Sequence, residues 1–205
     1  MSRPIETDDD TLLDAADRVL MTEGPSAFTL AKAANAAGVS AATLIKRFGS
    51  KDRLFLRLSQ RWVASLDPLL KEAAAAYSSP LARLRAVALH NYCDLDHPET
   101  AAKQLAALAI DLQDDELRGW LHVGWGHVRR HLTRHAADAV AAGELAGCPP
   151  PQQLARIIVG AMEGGCLTWS VHPEGSLVAR LADDLDALLG GWTNQQESDR
   201  EREDR

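Results

Sequence analysis

The fold of this chain is decided by residues 28–57, which read FTLAKAANAAGVSAATLIKRFGSKDRLFLR. Thr29 and Ser40 each stand in front of a short helical run, where a side-chain oxygen can cap the free N–H groups of the first turn. Gly38 supplies the left-handed residue that ends the first run. The pattern predicts two short helices joined by a tight turn, the second over 41–48. This is the layout of a helix-turn-helix, which places its second helix in the major groove of DNA.

The second of these helices separates apolar from basic side chains. Leu44 and Phe48 lie four residues apart, so both are expected to face the core. Lys46 and Arg47 fall on other sides of the helix, and the small residues at 41–42 allow its first turn to approach the bases closely. We therefore predict a buried face beneath this helix and a DNA-contacting surface elsewhere on it.

Charge is concentrated in the same segment. Residues 28–57 carry a net charge of +5, whereas residues 1–27 carry −5 and residues 58–205 carry −7. Positive potential that is confined to one module suits docking on DNA phosphates without indiscriminate binding by the rest of the chain. The alternative interpretation is a helical hairpin in an ordinary helical protein, whose basic residues only solvate its surface.

The segment also resembles a known family. The residues that match are Phe28-Thr29, Ala37-Gly38-Val39-Ser40, Thr43-Leu44 and Arg47-Phe48-Gly49-Ser50-Lys51-Asp52-Arg53-Leu54. Over about residues 10–57 the pattern resembles the DNA-binding domain of TetR/AcrR-type transcriptional regulators. The resemblance implies an all-α homodimer. It implies an N-terminal three-helix bundle with the helix-turn-helix, and a larger helical C-terminal domain that binds a small-molecule inducer and dimerises.

The chain is accordingly expected to divide into four segments. They are a disordered N-terminus over 1–8, a helix-turn-helix DNA-binding domain over 9–57, a ligand-binding and dimerisation domain over 58–193, and a disordered charged tail over 194–205. Apolar spacing and capping residues predict further helices over 80–94, 98–113, 114–143, 152–171 and 176–192. Pro68 is expected to kink or end the long helix that begins at Lys51.

The predicted DNA-contacting residues lie in and around the helix-turn-helix. The full set is Thr29, Lys32, Ser40, Ala41, Ala42, Thr43, Ile45, Lys46, Arg47 and Lys51. The resemblance implies that the two threonines, Ser40 and Arg47 contact phosphates or bases. It implies a phosphate contact for Lys51, which opens the next helix.

Three positions depart from the family pattern, namely Ala31, Ala33 and Ile45. The residues at 31 and 45 lack the side chains that would contact phosphate. The small side chain of Ala33 provides less apolar contact beneath the helix-turn-helix. Ile45 is instead a candidate for contact with a thymine methyl group. Such a contact would lower the affinity for the DNA phosphate backbone and add a preference for a particular base.

Aromatic and soft side chains of the C-terminal part are candidates for an effector pocket. They are Tyr92, Trp120, Trp125, Met162, Cys166 and Trp169. Together they could line an apolar pocket for a flat or greasy small molecule. The alternative is that these aromatic residues, at helical spacing, belong to the hydrophobic core and line no pocket.

The last two predicted helices carry apolar stripes that suit a dimer interface. The residues assigned to dimerisation are Leu154, Ile158, Ala161, Gly165, Leu181, Leu185 and Leu188. Two such helices from each subunit would pack as a four-helix bundle around a two-fold axis. The alternative is that these stripes face the core of their own subunit.

Three histidines, His127, His131 and His135, recur at four-residue spacing on one helix. Such a stripe can share a transition metal, but the neighbouring Arg130 and Arg134 favour a solvated basic face. We predict no metal site and no cofactor.

Catalysis and membrane insertion have little support. There is no glycine-rich phosphate loop and no oriented nucleophile, so the chain is not expected to be an enzyme. No apolar run is long enough to span a bilayer, the N-terminus is acidic, and the three cysteines are scattered. A cytoplasmic protein is the simplest expectation.

The sequence therefore predicts a sequence-specific DNA-binding transcriptional regulator. The favoured form is a ligand-responsive repressor that binds a palindromic operator as a dimer. The alternative is a helical protein-interaction module whose helix-turn-helix has lost operator binding. The departures at Ala31 and Ile45 keep that alternative open.

Overall fold

The computed structural model of the chain describes residues 8–193 and contains nine α-helices and no β-strand in that range. The helices are α1 (Asp9–Glu23), α2 (Leu30–Ala36), α3 (Ala41–Phe48), α4 (Lys51–Ala75), α5 (Pro80–Leu89), α6 (Pro98–Asp111), α7 (Asp115–Ala141), α8 (Pro151–Val171) and α9 (Leu177–Gly190). The predicted all-α class is confirmed. Between residues 8 and 193, no helix is long and apolar enough to cross a membrane.

The predicted disordered ends lie almost wholly outside the described residues. Asp8 is the exception, since it is described and its carboxylate accepts a hydrogen bond from Thr11 N at 2.7 Å as the N-cap of α1. This hydrogen bond lowers the pKa of the Asp8 carboxyl. Residues 1–7 and 194–205 are not described.

Two helix boundaries differ from prediction by more than two residues. Pro68 lies inside α4, which continues to Ala75 instead of ending. Leu66 and Leu70 flank the proline and are almost completely buried, so packing on both sides outweighs the one lost backbone hydrogen bond. Helix α5 ends at Leu89, five residues before its predicted end, and a 3₁₀ turn over His90–Tyr92 follows.

The chain divides into two compact units. Among the described residues, one unit contains 8–64 together with 99–123, and the other contains 65–98 and 124–193. The boundary predicted between residues 57 and 58 therefore does not describe the packing. The reason is that Leu117 of α7 is buried in the N-terminal core, and Ile110 of α6 packs against the same core. The functional division at 57 and 58 stays a prediction.

The first unit is organised around a core beneath the helix-turn-helix. Helix α2 packs against both α1 and α3. Phe28, Leu44 and Leu54 are at most 2% exposed and lie in one cluster with Leu12 of α1. Side chains of α1, α3, α4 and the segment before α2 thus pack in one cluster, which fixes the position of the short helix α3.

The second unit packs α8 against α9 and both of these helices against α5. Glu144, just after α7, accepts hydrogen bonds from donor groups at the N-terminus of α5. Its carboxylate accepts hydrogen bonds from Leu81 N at 2.6 Å and from Ser79 Oγ at 3.0 Å. A long-range carboxylate therefore supplements the local cap of this helix.

A charge cluster joins α4 to α7 within the second unit. His131 Nε2 lies 3.0 Å from Asp67 Oδ1, and His127 Nδ1 lies 3.0 Å from the same oxygen. The Arg130 guanidinium lies 3.6 Å from Asp67 Oδ2. The two imidazoles, with a smaller contribution from Arg130, lower the pKa of the Asp67 carboxyl to about 2.

The histidine stripe does not form the expected solvated face. His131 and His135 are buried, because the spacing that places Leu132 and Ala136 in the core carries these two rings inward as well. Burial lowers the pKa of His135. Among the described side chains, no three histidine, cysteine, aspartate or glutamate groups are placed to hold a metal ion.

Replacing Asp67 with asparagine is expected to reduce stability at neutral pH and to flatten its acid dependence. The folded-state pKa of about 2 lies below the ordinary 3.8, so the carboxylate stabilises the fold above pH 4. That stability is lost as the pH falls from about 4 towards 2. Because Asp67 is partly exposed, the loss should be only roughly 0.5–1 kcal/mol.

Urea unfolding of wild type and variant at several pH values measures this effect. Asp138→Asn is the matched control, because its carboxylate lies 3.9 Å from His135 Nδ1 and 4.0 Å from Arg134 Nε. Equal losses of stability in both variants would contradict a specific role for Asp67.

Candidate nucleic-acid interface

The turn between α2 and α3 is closed by backbone hydrogen bonds at a glycine. Val39 N donates to Ala34 O at 2.9 Å, and Gly38 N donates to Asn35 O at 3.1 Å. Gly38 has a φ of 68°, the left-handed conformation that such a helix ending requires. The chain therefore reverses within a few residues, as the sequence predicts.

Both predicted serine and threonine caps of the motif are confirmed. The Thr29 hydroxyl accepts from Lys32 N at 3.2 Å, and the Ser40 hydroxyl accepts from Thr43 N at 3.2 Å. The Ser40 and Thr43 hydroxyls also lie 2.9 Å apart. These bonds fix the start of α3, where a recognition helix approaches DNA.

Helix α3 buries one face and exposes the other. Leu44 is completely buried and Phe48 is 8% exposed, as predicted. Ile45 is 51% exposed, and Lys46 and Thr43 are also exposed. An apolar side chain thus stands next to a basic one on the outer surface of α3.

The predicted DNA-contacting residues all lie outside the core. Those exposed are Thr29, Lys32, Ser40, Ala42, Thr43, Ile45, Lys46 and Arg47, whereas Ala41 and Lys51 are half-buried. Within residues 8–193, the Lys46 ammonium has no ion pair and no hydrogen bond to another side chain or carbonyl. Lys46 is therefore the basic residue of the set that is most readily available to phosphate.

Lys51 is held by the chain itself. Its ammonium donates to Pro25 O at 2.9 Å and to Phe28 O at 3.2 Å. The same nitrogen lies 5.6 Å from the ring centroid of Phe28 and 5.2 Å from that of Phe55. This lysine ties the start of α4 to the segment before α2, a role that the sequence pattern did not indicate.

Two further basic residues are paired with carboxylates of α1. The Lys32 ammonium is bound to the Glu23 carboxylate and donates to Ala27 O at 2.9 Å. Arg47 Nε donates to Asp9 Oδ1. These pairs join residues far apart in sequence or across a turn, so no local pattern could reveal them.

The residues predicted to bind an effector do not all come together. Tyr92, Met162, Cys166 and Trp169 are buried in the second unit, where Trp125 also lies half-buried. Trp120 instead belongs to the first unit and packs against the core beneath the helix-turn-helix. Trp120 therefore lies in a different unit from the other candidates, because α7 leaves the first unit only after residue 123, and its role in effector binding stays a prediction.

A half-buried carboxyl group, that of Glu163, accompanies these residues. Tyr92 Oη donates to Glu163 Oε1 at 3.0 Å. Burial raises the pKa values of Glu163 and of Cys166, and burial followed by the charge of Glu163 raises that of Tyr92. Sequence reasoning missed Glu163, because a glutamate between glycines and alanines gives no signal of burial.

Four of the residues assigned to dimerisation are core residues. Leu154, Ile158, Leu181 and Leu185 are completely buried within the single chain, which supports the alternative that they face their own core, and their role in dimerisation stays a prediction. A Cβ atom at Gly165 would come within 2.5 Å of Leu181 Cδ2, which shows how closely α8 and α9 approach each other. Of the remaining assigned residues, Ala161, Gly165 and Leu188 are half-buried.

The opposite face of α8 is exposed and carries small or apolar residues. Gly160, Gly164, Leu167 and Val171 follow one another at spacings of three and four, which places them on one stripe, and the exposed Thr168 adjoins it. Leu167 is 53% exposed and Val171 is 79% exposed. A Cβ atom at either glycine would meet nothing within 4 Å.

Residues 12–58 match the family model of the bacterial regulatory proteins of the tetR family. The BetI regulator of Rhizobium meliloti (strain 1021), an HTH-type transcriptional regulator, is 31% identical over 122 residues. That match spans 59% of this chain and 60% of the Rhizobium protein. The BetI regulator of Burkholderia thailandensis is 29% identical over 184 residues, which cover 87% of this chain and 91% of that protein.

Solved structures share the fold. The SmeT repressor of the Stenotrophomonas maltophilia multidrug efflux pump SmeDEF matches with a TM-score of 0.68 and 21% identity over 92% of each chain. FadR of Bacillus subtilis in complex with stearoyl-CoA also has a TM-score of 0.68 and 21% identity, and the match covers 89% of this chain and 98% of FadR. At these identities the likeness shows the fold alone. Residues 12–58 are thus similar to the DNA-binding domain of the tetR family of bacterial regulators, and the fold of the described residues is the one that SmeT and FadR have.

Proposed function

We propose that the chain is a ligand-responsive repressor that binds a palindromic operator as a homodimer. The observation that carries this proposal is the outer surface of α3, where Thr43, Ile45 and Lys46 are exposed on a helix capped at Ser40. A capped helix of this kind presents its first turns to base edges, and a dimer places two of them about one helical turn of DNA apart.

Repression is the expected direction of control, and the cytoplasm is the expected location. The fold is shared with SmeT, a repressor of an efflux pump. A protein that reads chromosomal DNA in a bacterium works in the cytoplasm.

The effector is expected to bind in the second unit. Tyr92, Met162, Cys166 and Trp169 supply buried apolar and aromatic surface, and Glu163 adds one carboxyl group. FadR, which shares the fold, is known in complex with stearoyl-CoA. We infer an apolar or aromatic effector that binds the DNA-incompetent state of the dimer more tightly than the competent one.

The competing function is a protein-interaction module without operator binding. It is supported by the absence of phosphate-contacting side chains at Ala31 and Ile45. The exposed Lys46, which has no ion pair within the described chain, favours DNA binding over this alternative.

Removing Lys46 and Arg47 together is expected to weaken binding to duplex DNA. The Lys46→Ala, Arg47→Ala variant should lose about 1–3 kcal/mol of binding free energy, and its salt dependence should become shallower. The measurement is fluorescence anisotropy with a labelled duplex over a range of salt concentrations. Arg118→Ala is the control, since Arg118 is exposed on α7 and is paired with Asp115. Equal affinities for the double variant and the control would favour the interaction module.

The exposed stripe of α8 is the proposed dimer face. Its glycines allow a partner helix to approach closely, and Leu167 and Val171 supply apolar surface. The buried leucines of α8 and α9 act behind this face by fixing the two helices to each other.

A charge on this stripe is expected to produce monomers. Leu167→Glu would place a carboxylate in the centre of an apolar interface, where its desolvation opposes association. Sedimentation velocity measures the oligomeric state. Leu112→Glu is the matched control, because Leu112 is 47% exposed but lies just after α6, away from α8 in the sequence. A dimer that survives Leu167→Glu would contradict this interface.

A further inference from the structure

The N-terminal helix and the helix-turn-helix have opposite charges that meet in the structure. Residues 1–27 carry −5 and residues 28–57 carry +5. Glu23, in the last turn of α1, binds Lys32 of α2, and Asp9, in the first turn of α1, binds Arg47 of α3. Both ends of α1 thus place a carboxylate on a cation that the proposed function directs at DNA.

These ion pairs are at the surface and can be exchanged. Lys32 and Glu23 are 45% and 39% exposed, and Arg47 and Asp9 are 41% and 44% exposed. Exposed pairs of this kind are weak, so a DNA phosphate in a suitable position can replace the carboxylate. A phosphate that is poorly placed has to compete with a carboxylate that is already bound.

We propose that Asp9 and Glu23 suppress sequence-independent binding of this protein to DNA by occupying Arg47 and Lys32. This inference rests on the proposed DNA-binding function. Sequence-independent binding depends on the number of cations that reach phosphates, because each such contact releases a counterion. A cation held by a carboxylate contributes less to that number. Only a duplex that docks closely against α3 places a phosphate well enough to displace the carboxylate.

Neutralising the two carboxylates tests this inference. Asp9→Asn and Glu23→Gln should each tighten binding to a short duplex of random sequence by about two- to fivefold, the range expected for an exposed ion pair. The double variant should show a steeper fall of affinity with salt, by up to about one counterion for each released cation. The measurement is fluorescence anisotropy of the full chain with the labelled duplex over a series of salt concentrations.

Asp14→Asn is the matched control. Asp14 lies on the same helix and pairs with Arg61 of α4, with Arg61 Nη1 at 2.6 Å from Asp14 Oδ1. The substitution changes the net charge by the same amount without releasing a cation of the helix-turn-helix. A melting temperature for every variant identifies any loss of folding, since Asp9 also lies in the first turn of its helix.

The pairing itself is tested in a second background. Asp9→Asn should have no effect on affinity in a chain that carries Arg47→Ala, because the cation that Asp9 binds is then absent. If Asp9→Asn and Glu23→Gln tighten binding no more than Asp14→Asn does, the proposal is overturned while DNA binding stands. If the wild-type chain and all variants fail to bind any duplex at low salt, both this proposal and the proposed function are wrong.

Discussion

The position of α3 depends on the burial of Leu44. Helix α3 has eight residues, which is too short for a helix to be stable in water without tertiary contacts. Leu44 is fully buried against Phe28 and Leu54, and Phe48 extends the same contact one turn further. This contact determines which side of α3 faces solvent. The exposure of Ile45 and Lys46 is its direct consequence.

The core beneath α3 also extends beyond the helix-turn-helix. Leu117 of α7 is buried in it, and Ile110 and Trp120 pack against its edge. The DNA-binding unit therefore includes α6 and the first turns of α7, which are separated from the helix-turn-helix by forty or more residues. A boundary drawn along the chain cannot describe such a unit.

The features that the sequence predicted correctly are local. Thr29 and Ser40 cap helices through hydrogen bonds to residues three positions away, and Gly38 ends α2 through its own backbone conformation. These effects depend only on neighbouring residues, so a pattern in the sequence is sufficient to predict them.

The features that the sequence left open or did not reveal depend on distant contacts. An apolar stripe shows that a helix buries one face, but it does not show which partner covers that face. From the sequence, Leu154 and Leu181 were equally compatible with a dimer interface and with a subunit core. In the structure, α8 packs on α9 and both leucines are buried within the single chain. The internal partners of Lys51 and Arg47 were missed for the same reason, since Pro25 and Asp9 lie in other parts of the chain.

The positive charge of this chain is concentrated in the segment that contains α3. An acidic protein with a net charge of −7 binds a polyanion only through a local excess of positive charge. That excess is partly neutralised by α1 and partly used by Lys51 to hold the fold. The cations that remain available are few, so shape and base contacts along α3 must supply much of the affinity for a specific site.

The most direct test of this account is selection of binding sites from random double-stranded DNA by the purified protein at two salt concentrations. An operator-reading dimer should select a two-fold-related motif with half-sites about one helical turn apart, and its binding should weaken steeply with salt. Recovery of salt-sensitive DNA without a motif, or of no DNA at all, would contradict an operator-reading dimer. The helical interaction module would then be the better description of this protein.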